Sequence, residues 1–216
     1  CQPSGYGAAL ELNTTGDCNV AVGNGALRSN TTANNNTAVG TLALACNTTA
    51  SSNTAVGKIA LQANTTGADN ATLGAESLKA NTTGDNNSAF GYRALCTNTT
   101  GASNTAIGHD ALCATTTGGQ NNAFGDGTMS ANTTGCRNVA MGNAAMIKNT
   151  EGICNVAIGH IAMRCNLTGD NNTAVGAAAL DKNTASNNTA VGCGASSCNT
   201  TGGGNVAVGA TTGDAI

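Results

Sequence analysis

The motif Asn36-Thr37-Ala38-Val39-Gly40 recurs as Asn53-Thr54-Ala55-Val56-Gly57, seventeen residues further along the chain. Close variants follow almost to the end of the 216 residues, and every step is 17 residues except one of 16, between Gly176 and Gly192. The glycines that end the twelve copies are Gly23, Gly40, Gly57, Gly74, Gly91, Gly108, Gly125, Gly142, Gly159, Gly176, Gly192 and Gly209. A period this regular predicts one structural unit per copy.

Fixed and variable positions alternate within the consensus N-T-A-V-G-x-x-A-L-x-x-N-T-T-G-x-x. The third position is Ala except at Thr72, the fourth is always large and apolar, and the ninth is Leu or Met except at Ser196 and Gly213. The three x-x pairs hold every cysteine and every charged residue but Glu151. Because charge avoids places where desolvation is costly, we expect the fixed positions to be buried or stacked. The x-x pairs are then exposed corners.

The period and the pattern together predict a fold class. Seventeen residues are too few for a two-helix repeat, whereas N-T-A-V alternates as a short strand does and ends at glycine. We expect an all-β chain: a parallel β-solenoid (β-roll) of about twelve 17-residue coils, with rungs about 4.8 Å apart. Residues 1–216 form one repeat domain, with coils from about 2 to 209 and a degenerate end over 193–216. The 16-residue step removes one residue at the N-T-T-G turn, where a deletion is easiest to accommodate.

The first position of the motif is asparagine in every copy. Identical amides stacked at the rung spacing can hydrogen-bond along a column, as asparagine ladders do in cross-β structures. The predicted ladder comprises Asn19, Asn36, Asn53, Asn70, Asn87, Asn104, Asn121, Asn138, Asn155, Asn172, Asn188 and Asn205.

Two neighbouring columns, the Ala of the third position and the Val, Ile or Phe of the fourth, are both apolar. Residues three and four of a strand face opposite sides. One of the two columns therefore lines the interior, and the other forms an apolar stripe outside, which indicates lateral association of identical chains. The alternative is a bend that turns both columns inward.

Composition excludes several classes of function. Only 9% of residues are charged and the net charge is −3, so nucleic acid is not an expected partner. No apolar run is long enough for a membrane span. His109 and His160 lie three coils apart, roughly 14 Å at the rung spacing, and cannot share a proton or a metal. No column holds the aspartates of a calcium-binding β-roll. We therefore predict no enzyme activity, no cofactor and no metal.

The ten cysteines occupy variable pairs, and several are neighbours in adjacent coils. Adjacent rungs lie within the distance that a disulfide spans, which predicts the bridges Cys1–Cys18, Cys96–Cys113 and Cys136–Cys154. Cys193 and Cys198 could close a local loop. Cys46 and Cys165 share a position seven coils apart, which leaves interchain bonds or free thiols. The alternative is that the ten cysteines do not pair and are simply small residues at exposed positions.

Sequons for N-glycosylation are abundant. Two interpretations stay open at this stage: a glycan-coated fibre, or a turn that needs no sugar. Sequons on the N-T-T-G turn begin at Asn13, Asn30, Asn47, Asn64, Asn81, Asn98, Asn132, Asn166 and Asn199. Others begin at Asn35, Asn70, Asn86, Asn171 and Asn187.

The motif, as in Asn19-Val20-Ala21-Val22-Gly23 and its later copies, resembles the head repeats of trimeric autotransporter adhesins. It is even more similar to the N-T-A-V-G-x-x-A-L repeats in fibres of phages, large viruses and some bacteria. The resemblance covers about Tyr6 to Gly209. It implies a left-handed, homotrimeric, elongated fibre at the cell or virion surface.

These observations favour a non-enzymatic structural protein: an extracellular fibre or filament segment, disulfide-stapled and glycan-coated if the sequons are used. Its main partner would be itself, as a trimer or an end-to-end filament. One alternative is an adhesin head that binds a host receptor or glycan through its corners. Another is an ice-binding solenoid, although such surfaces usually carry Thr-x-Thr pairs, which this motif lacks.

Overall fold

The computed structural model describes residues 7–213, and these form a β-solenoid in which the coils follow one another along a single axis. Each copy of the motif contributes one three-residue strand, and the twelve strands make one parallel sheet in sequence order. The strands are β1 (Val20–Val22), β2 (Thr37–Val39), β3 (Thr54–Val56), β4 (Ala71–Leu73), β5 (Ser88–Phe90), β6 (Thr105–Ile107), β7 (Asn122–Phe124), β8 (Val139–Met141), β9 (Val156–Ile158), β10 (Thr173–Val175), β11 (Thr189–Val191) and β12 (Val206–Val208). The predicted fold class is confirmed.

Equivalent motif positions pair across every rung, so Thr37 lies beside Thr54 and Val39 beside Val56. The register survives the 16-residue step, where Thr173 pairs with Thr189. The missing residue is taken up outside the strands, as predicted for the turn.

Hydrogen bonds between coils continue beyond the short strands. The N–H of Leu27 donates to the carbonyl of Ala43 at 3.0 Å, and the N–H of Leu42 donates to that of Asn24 at 2.9 Å. The backbone N–H and C=O groups are therefore hydrogen-bonded around much of each coil, although only three residues per coil belong to a strand. Residues 7–213 contain no helix that could cross a membrane.

The core is a thin strip repeated along the rod. The Ala columns at motif positions three and eight and the Leu or Met column at position nine are fully buried in nearly every coil. The ninth residue also adopts a left-handed backbone, with φ of 49° at Leu27 and 52° at Leu44. That conformation costs roughly 1–2 kcal/mol for a residue other than glycine. Because it recurs at a buried apolar side chain in ten coils, core packing must offset the strain.

The glycine that ends each motif is required for two reasons. Gly40 has a φ of 136°, a region open to few residues besides glycine. A Cβ on Gly40 would also press against the carbonyl of Gly57 in the next coil, 2.6 Å from its carbon. The coils therefore stack closely because this column has no side chain.

Candidate functional site

The outer face of the sheet is formed by the second- and fourth-position residues of the twelve motifs. Ala38, between them in β2, is fully buried, while Val22, Leu73 and Met141 are 57%, 53% and 47% exposed. The strand pleat thus places the Ala column inside and the large apolar column outside, and the alternative with both columns inward is wrong. The outward column comprises Val22, Val39, Val56, Leu73, Phe90, Ile107, Phe124, Met141, Ile158, Val175, Val191 and Val208.

The second column of the outer face carries no charge either. It consists of Val20, Thr37, Thr54, Ala71, Ser88, Thr105, Asn122, Val139, Val156, Thr173, Thr189 and Val206. Threonine is interrupted by valine, alanine and asparagine, and its neighbour on the face is apolar. The face is therefore an uncharged, largely apolar strip without the threonine pairs of an ice-binding surface.

The predicted asparagine ladder, here called the first ladder, is confirmed. The Oδ1 atom of Asn19 accepts from the backbone N–H of Asn36 at 2.9 Å, and the bond repeats in every later coil up to Asn205. The Nδ2 atom of Asn36 donates to the carbonyl of Ala50 at 3.0 Å. Each amide therefore connects its own coil to the next.

A second ladder, which the sequence analysis missed, runs through the asparagine of the N-T-T-G turn. Nδ2 of Asn47 donates to Oδ1 of Asn30 at 3.1 Å and to the carbonyl of Ala50 at 2.8 Å. The asparagine at the twelfth position, replaced only by Thr115, was the available signal, but a turn also explained it. The second ladder comprises Asn13, Asn30, Asn47, Asn64, Asn81, Asn98, Asn132, Asn149, Asn166, Asn183 and Asn199.

The second ladder overturns most of the predicted glycosylation sites. Its side chains are inside the rod, and an amide whose two N–H groups both donate inward has no position for a sugar. Apart from Asn13, which is half-buried, the affected sequon asparagines are at most 6% exposed: Asn30, Asn47, Asn64, Asn81, Asn98, Asn132, Asn166 and Asn199. Asn70, which begins a sequon in the first ladder, is buried as well. The exposed sequon asparagines are Asn35, Asn86, Asn171 and Asn187. These four share the last motif position, before the strand.

The predicted disulfides are not formed in the structure. Cys96 and Cys113 are free thiols, as are Cys136 and Cys154. Cys154 contacts Cys136 through its backbone N–H, which donates to the Cys136 carbonyl at 3.1 Å. Coil stacking brought these residues together as predicted, but neighbouring backbones do not by themselves join two sulfur atoms.

The remaining cysteines agree with the prediction only in part. Cys18 is a free thiol, and Cys1 lies outside the described residues. Cys193 is free, so the local loop to Cys198 is not closed. Cys46 is disulfide-bonded. Cys165 is a free thiol, one of the two states expected for it.

Arg93 lies beside the Cys96–Cys113 pair. Its Nη2 atom is 3.5 Å from Sγ of Cys113, and Sγ of Cys96 is 3.5 Å from the Cys113 carbonyl. The hydrogen bond from the Cys113 thiol, followed by the contact and charge of Arg93, lowers the pKa of Cys96 to about 6. The same hydrogen bond raises the pKa of Cys113. The two thiols therefore behave as one acidic group and one weakly acidic group.

Tyr92 and His109 stack at a corner in the middle of the rod, with ring centroids 5.5 Å apart. His109 Nδ1 is 3.2 Å from Oδ1 of Asp126 and 3.5 Å from Oδ2 of Asp110. Nε of Arg93 is 3.4 Å from Oδ1 of Asp110. Aromatic and charged residues are scarce in this chain, yet five of them meet here; we call them the aromatic corner.

The aromatic corner has no arrangement typical of catalysis. His109 is more than half exposed, and no pocket encloses it among residues 7–213. Within the same residues, no three His, Cys, Asp or Glu side chains are grouped so as to hold a metal ion. His160 is also exposed, three coils away. The corner can stack against a ring and accept or donate hydrogen bonds.

A scan of protein-family models and searches of curated proteins and solved structures found no match to this chain.

Proposed function

We propose that this protein is a non-enzymatic structural element, a segment of a fibre or filament at the cell or virion surface, in which identical chains associate side by side. The outer face is the observation that carries the proposal. Monomeric soluble proteins rarely leave a contiguous apolar patch of more than a few hundred Å² in water. Here an uncharged strip runs the length of twelve rungs, roughly 50 Å at the rung spacing.

Identical chains are the partner that this surface fits best. Its columns repeat at the rung spacing, so a second copy presents apolar residues at the same intervals and can cover the whole strip. A homotrimer, as in the adhesin heads that the motif resembles, would bury it around a central axis. The charged and polar corners would remain outside.

The test places one charge at the centre of the outer face. Ile107→Lys is expected to shift the assembly to monomer in sedimentation velocity, because burial of an unpaired charge opposes association. Thr100→Lys, at an exposed position of the N-T-T-G turn, is the matched control and should sediment as the unsubstituted chain does. If the unsubstituted chain is monomeric at all micromolar concentrations, lateral association is wrong.

A second candidate, an adhesin that binds a carbohydrate, is favoured by the aromatic corner. Tyr92 and His109 offer ring faces, and Asp110, Asp126 and Arg93 offer hydrogen bonds at the same place. Sugars present an apolar face with hydroxyl groups at its edge, so they match such a surface.

On a glycan array, Tyr92→Ala should abolish any signal that this corner produces, whereas Thr41→Ala, at the equivalent corner position three coils away, should leave it unchanged. No binding of the unsubstituted chain would reject this candidate.

A further inference from the structure

We infer that N-glycosylation of the second asparagine ladder and folding exclude each other in this protein, so that the chain folds where an N-linked oligosaccharide transferase does not act on these asparagines. The second asparagine ladder carries the inference. Nine of its residues begin sequons, and apart from Asn13 these are buried inside the rod. The amide that would receive the sugar is the one that holds adjacent coils together.

The chemistry of the transfer makes the conflict direct. The anomeric carbon of a lipid-linked oligosaccharide forms a bond to Nδ2, the bond to its pyrophosphate carrier breaks, and one amide hydrogen leaves as a proton. In the rod, Nδ2 of Asn64 donates both hydrogens, to Oδ1 of Asn47 at 3.0 Å and to the carbonyl of Gly67 at 2.8 Å. A sugar therefore removes one of two buried hydrogen bonds and leaves an acceptor unsatisfied.

Space excludes the sugar as firmly as hydrogen bonding does. A Cβ on Gly67 would already lie 2.7 Å from Oδ1 of Asn64 and 2.9 Å from Nδ2 of Asn81. Two coils adjust to a single extra carbon in this column, at Ala33 and Ala50, but a saccharide on the amide is far larger than one methyl group and would have to fit the same close-packed interior. Adjacent ladder positions are separated by only about 4.8 Å, which adds crowding between neighbouring sugars.

The order of events matters because the transferase acts on flexible chain and reads only the N-x-S/T signal. The ladder is not yet formed on an emerging chain, so its amides are available as acceptors. Each sugar added at that stage would block one rung. The exposed sequons at Asn35, Asn86, Asn171 and Asn187 would tolerate a sugar, because these side chains face solvent.

The sequence offers a way to remove the ladder sequons without touching an asparagine. The third residue of each second-ladder sequon is exposed, and Glu151 already stands at that place in one coil. Substitution of these threonines by alanine keeps every amide of the ladder. The positions are Thr15, Thr32, Thr49, Thr66, Thr83, Thr100, Thr134, Thr168 and Thr201. Thr72→Ala removes the buried sequon at Asn70 and restores the alanine of the other copies.

The experiment compares cell-free translation of the chain alone with translation behind a cleavable signal sequence in the presence of endoplasmic-reticulum microsomes. Glycan number is read from the gel shift, sites are mapped by mass spectrometry, and folding is measured as the protease-resistant fraction. We expect the translocated chain to carry sugars on ladder asparagines and to lose about tenfold or more of its protease-resistant fraction. The ten-threonine variant should regain it to within about twofold while keeping the four exposed sequons.

A second arm holds the sequence constant. An acceptor tripeptide that competes for the transferase should restore folding of the unsubstituted chain in the same microsomes, which separates the sugar from the oxidising lumen. Protease-resistant rods with sugars mapped to Asn47 or Asn64 would overturn the inference. So would microsomes that leave the ladder sequons unmodified, or a competitor that blocks glycosylation without restoring folding.

Discussion

At the scale of single residues, the second ladder is interrupted where Thr115 replaces asparagine. Oδ1 of Asn98 and Oγ1 of Thr115 are both buried there and have no hydrogen-bond partner among the described residues. A similar gap follows Asn166, whose Oδ1 is unpartnered beside the 16-residue coil. Unsatisfied buried groups destabilise a fold by about 1–3 kcal/mol each.

Thr115→Asn should therefore stabilise the rod. The new amide can donate to Oδ1 of Asn98 and replaces an unpartnered hydroxyl, so we expect the free energy of unfolding to rise by about 1–2 kcal/mol. Denaturation in guanidinium chloride measures it. Thr117→Asn, two residues away and exposed, is the control and should change stability by less than about 0.5 kcal/mol. A loss of stability at Thr115 would contradict the ladder geometry.

Thr72 also breaks its column. It stands in the buried alanine column at 1% exposure, and its hydroxyl has no partner among the described residues. Thr72→Ala should raise the free energy of unfolding by about 1 kcal/mol in the same assay. Thr105→Ala, on the outer face, is the comparison and should be near neutral or slightly destabilising. If Thr72→Ala is the more destabilising of the two, the hydroxyl is satisfied in solution.

The Cys96–Cys113 pair predicts a pH effect at one site. Because the pKa of Cys96 is lowered to about 6, one thiolate should be present at neutral pH and should disappear as the pH falls through 6. Thiolate absorbance near 240 nm, at low temperature under argon, follows this titration. Arg93→Met should move the titration upward, whereas Arg137→Met should not. An unchanged midpoint in Arg93→Met would show that the guanidinium does not stabilise the thiolate.

At the scale of the repeated element, two glycine columns look alike in sequence and differ in their requirement for glycine. Gly91 belongs to the column that ends the motif and has a φ of 137°. Gly84 belongs to the N-T-T-G column, where no positive φ is found and where Ala33 and Ala50 already stand in two coils. A Cβ would be tight at either glycine. Because alanine already occupies the N-T-T-G column in two coils, only that column is known to accommodate a side chain.

Gly91→Ala should consequently destabilise the rod far more than Gly84→Ala. At Gly91 the added carbon meets the Gly108 backbone, and the conformation is unfavourable to alanine, so we expect a loss of about 3 kcal/mol or more. At Gly84 we expect about 1 kcal/mol, as the coils with Ala33 and Ala50 imply. Chemical denaturation of the two variants, side by side, makes the comparison. Equal losses would mean that backbone conformation contributes little.

At the scale of the whole molecule, the rod depends on neutral groups. Most ion pairs, such as Arg28 with Glu11 at 2.9 Å and Lys79 with Glu76 at 2.7 Å, involve partly exposed side chains at the corners. Asp181, paired with Arg164 at 2.8 Å, is more buried. Surface pairs of this kind contribute little and are screened by salt. The amide ladders and the alanine and leucine columns contain no charge to screen.

Stability should therefore be nearly independent of ionic strength. Between about 0.05 and 0.5 M sodium chloride, we expect the free energy of unfolding in urea to change by less than about 1 kcal/mol. The measurement uses Ile107→Lys, so that unfolding is not coupled to assembly. A strong decrease with salt would show that the corner charges hold the coils together.

The sequence alone determined the period, the parallel stacking and the first ladder, because identical residues every 17 positions can be satisfied together only when they lie over one another. The sequence could not decide which of the two apolar columns faces the interior. The alternation of a strand shows only that the third- and fourth-position residues point to opposite sides of the sheet. Tertiary structure decided that: the interior is narrow, so alanine fills it and Val39 or Ile107 faces outward. It also decided the role of the N-T-T-G asparagines and the state of the cysteines. The burial of an amide and the contact of two sulfur atoms depend on the path of the whole coil, which no short motif contains.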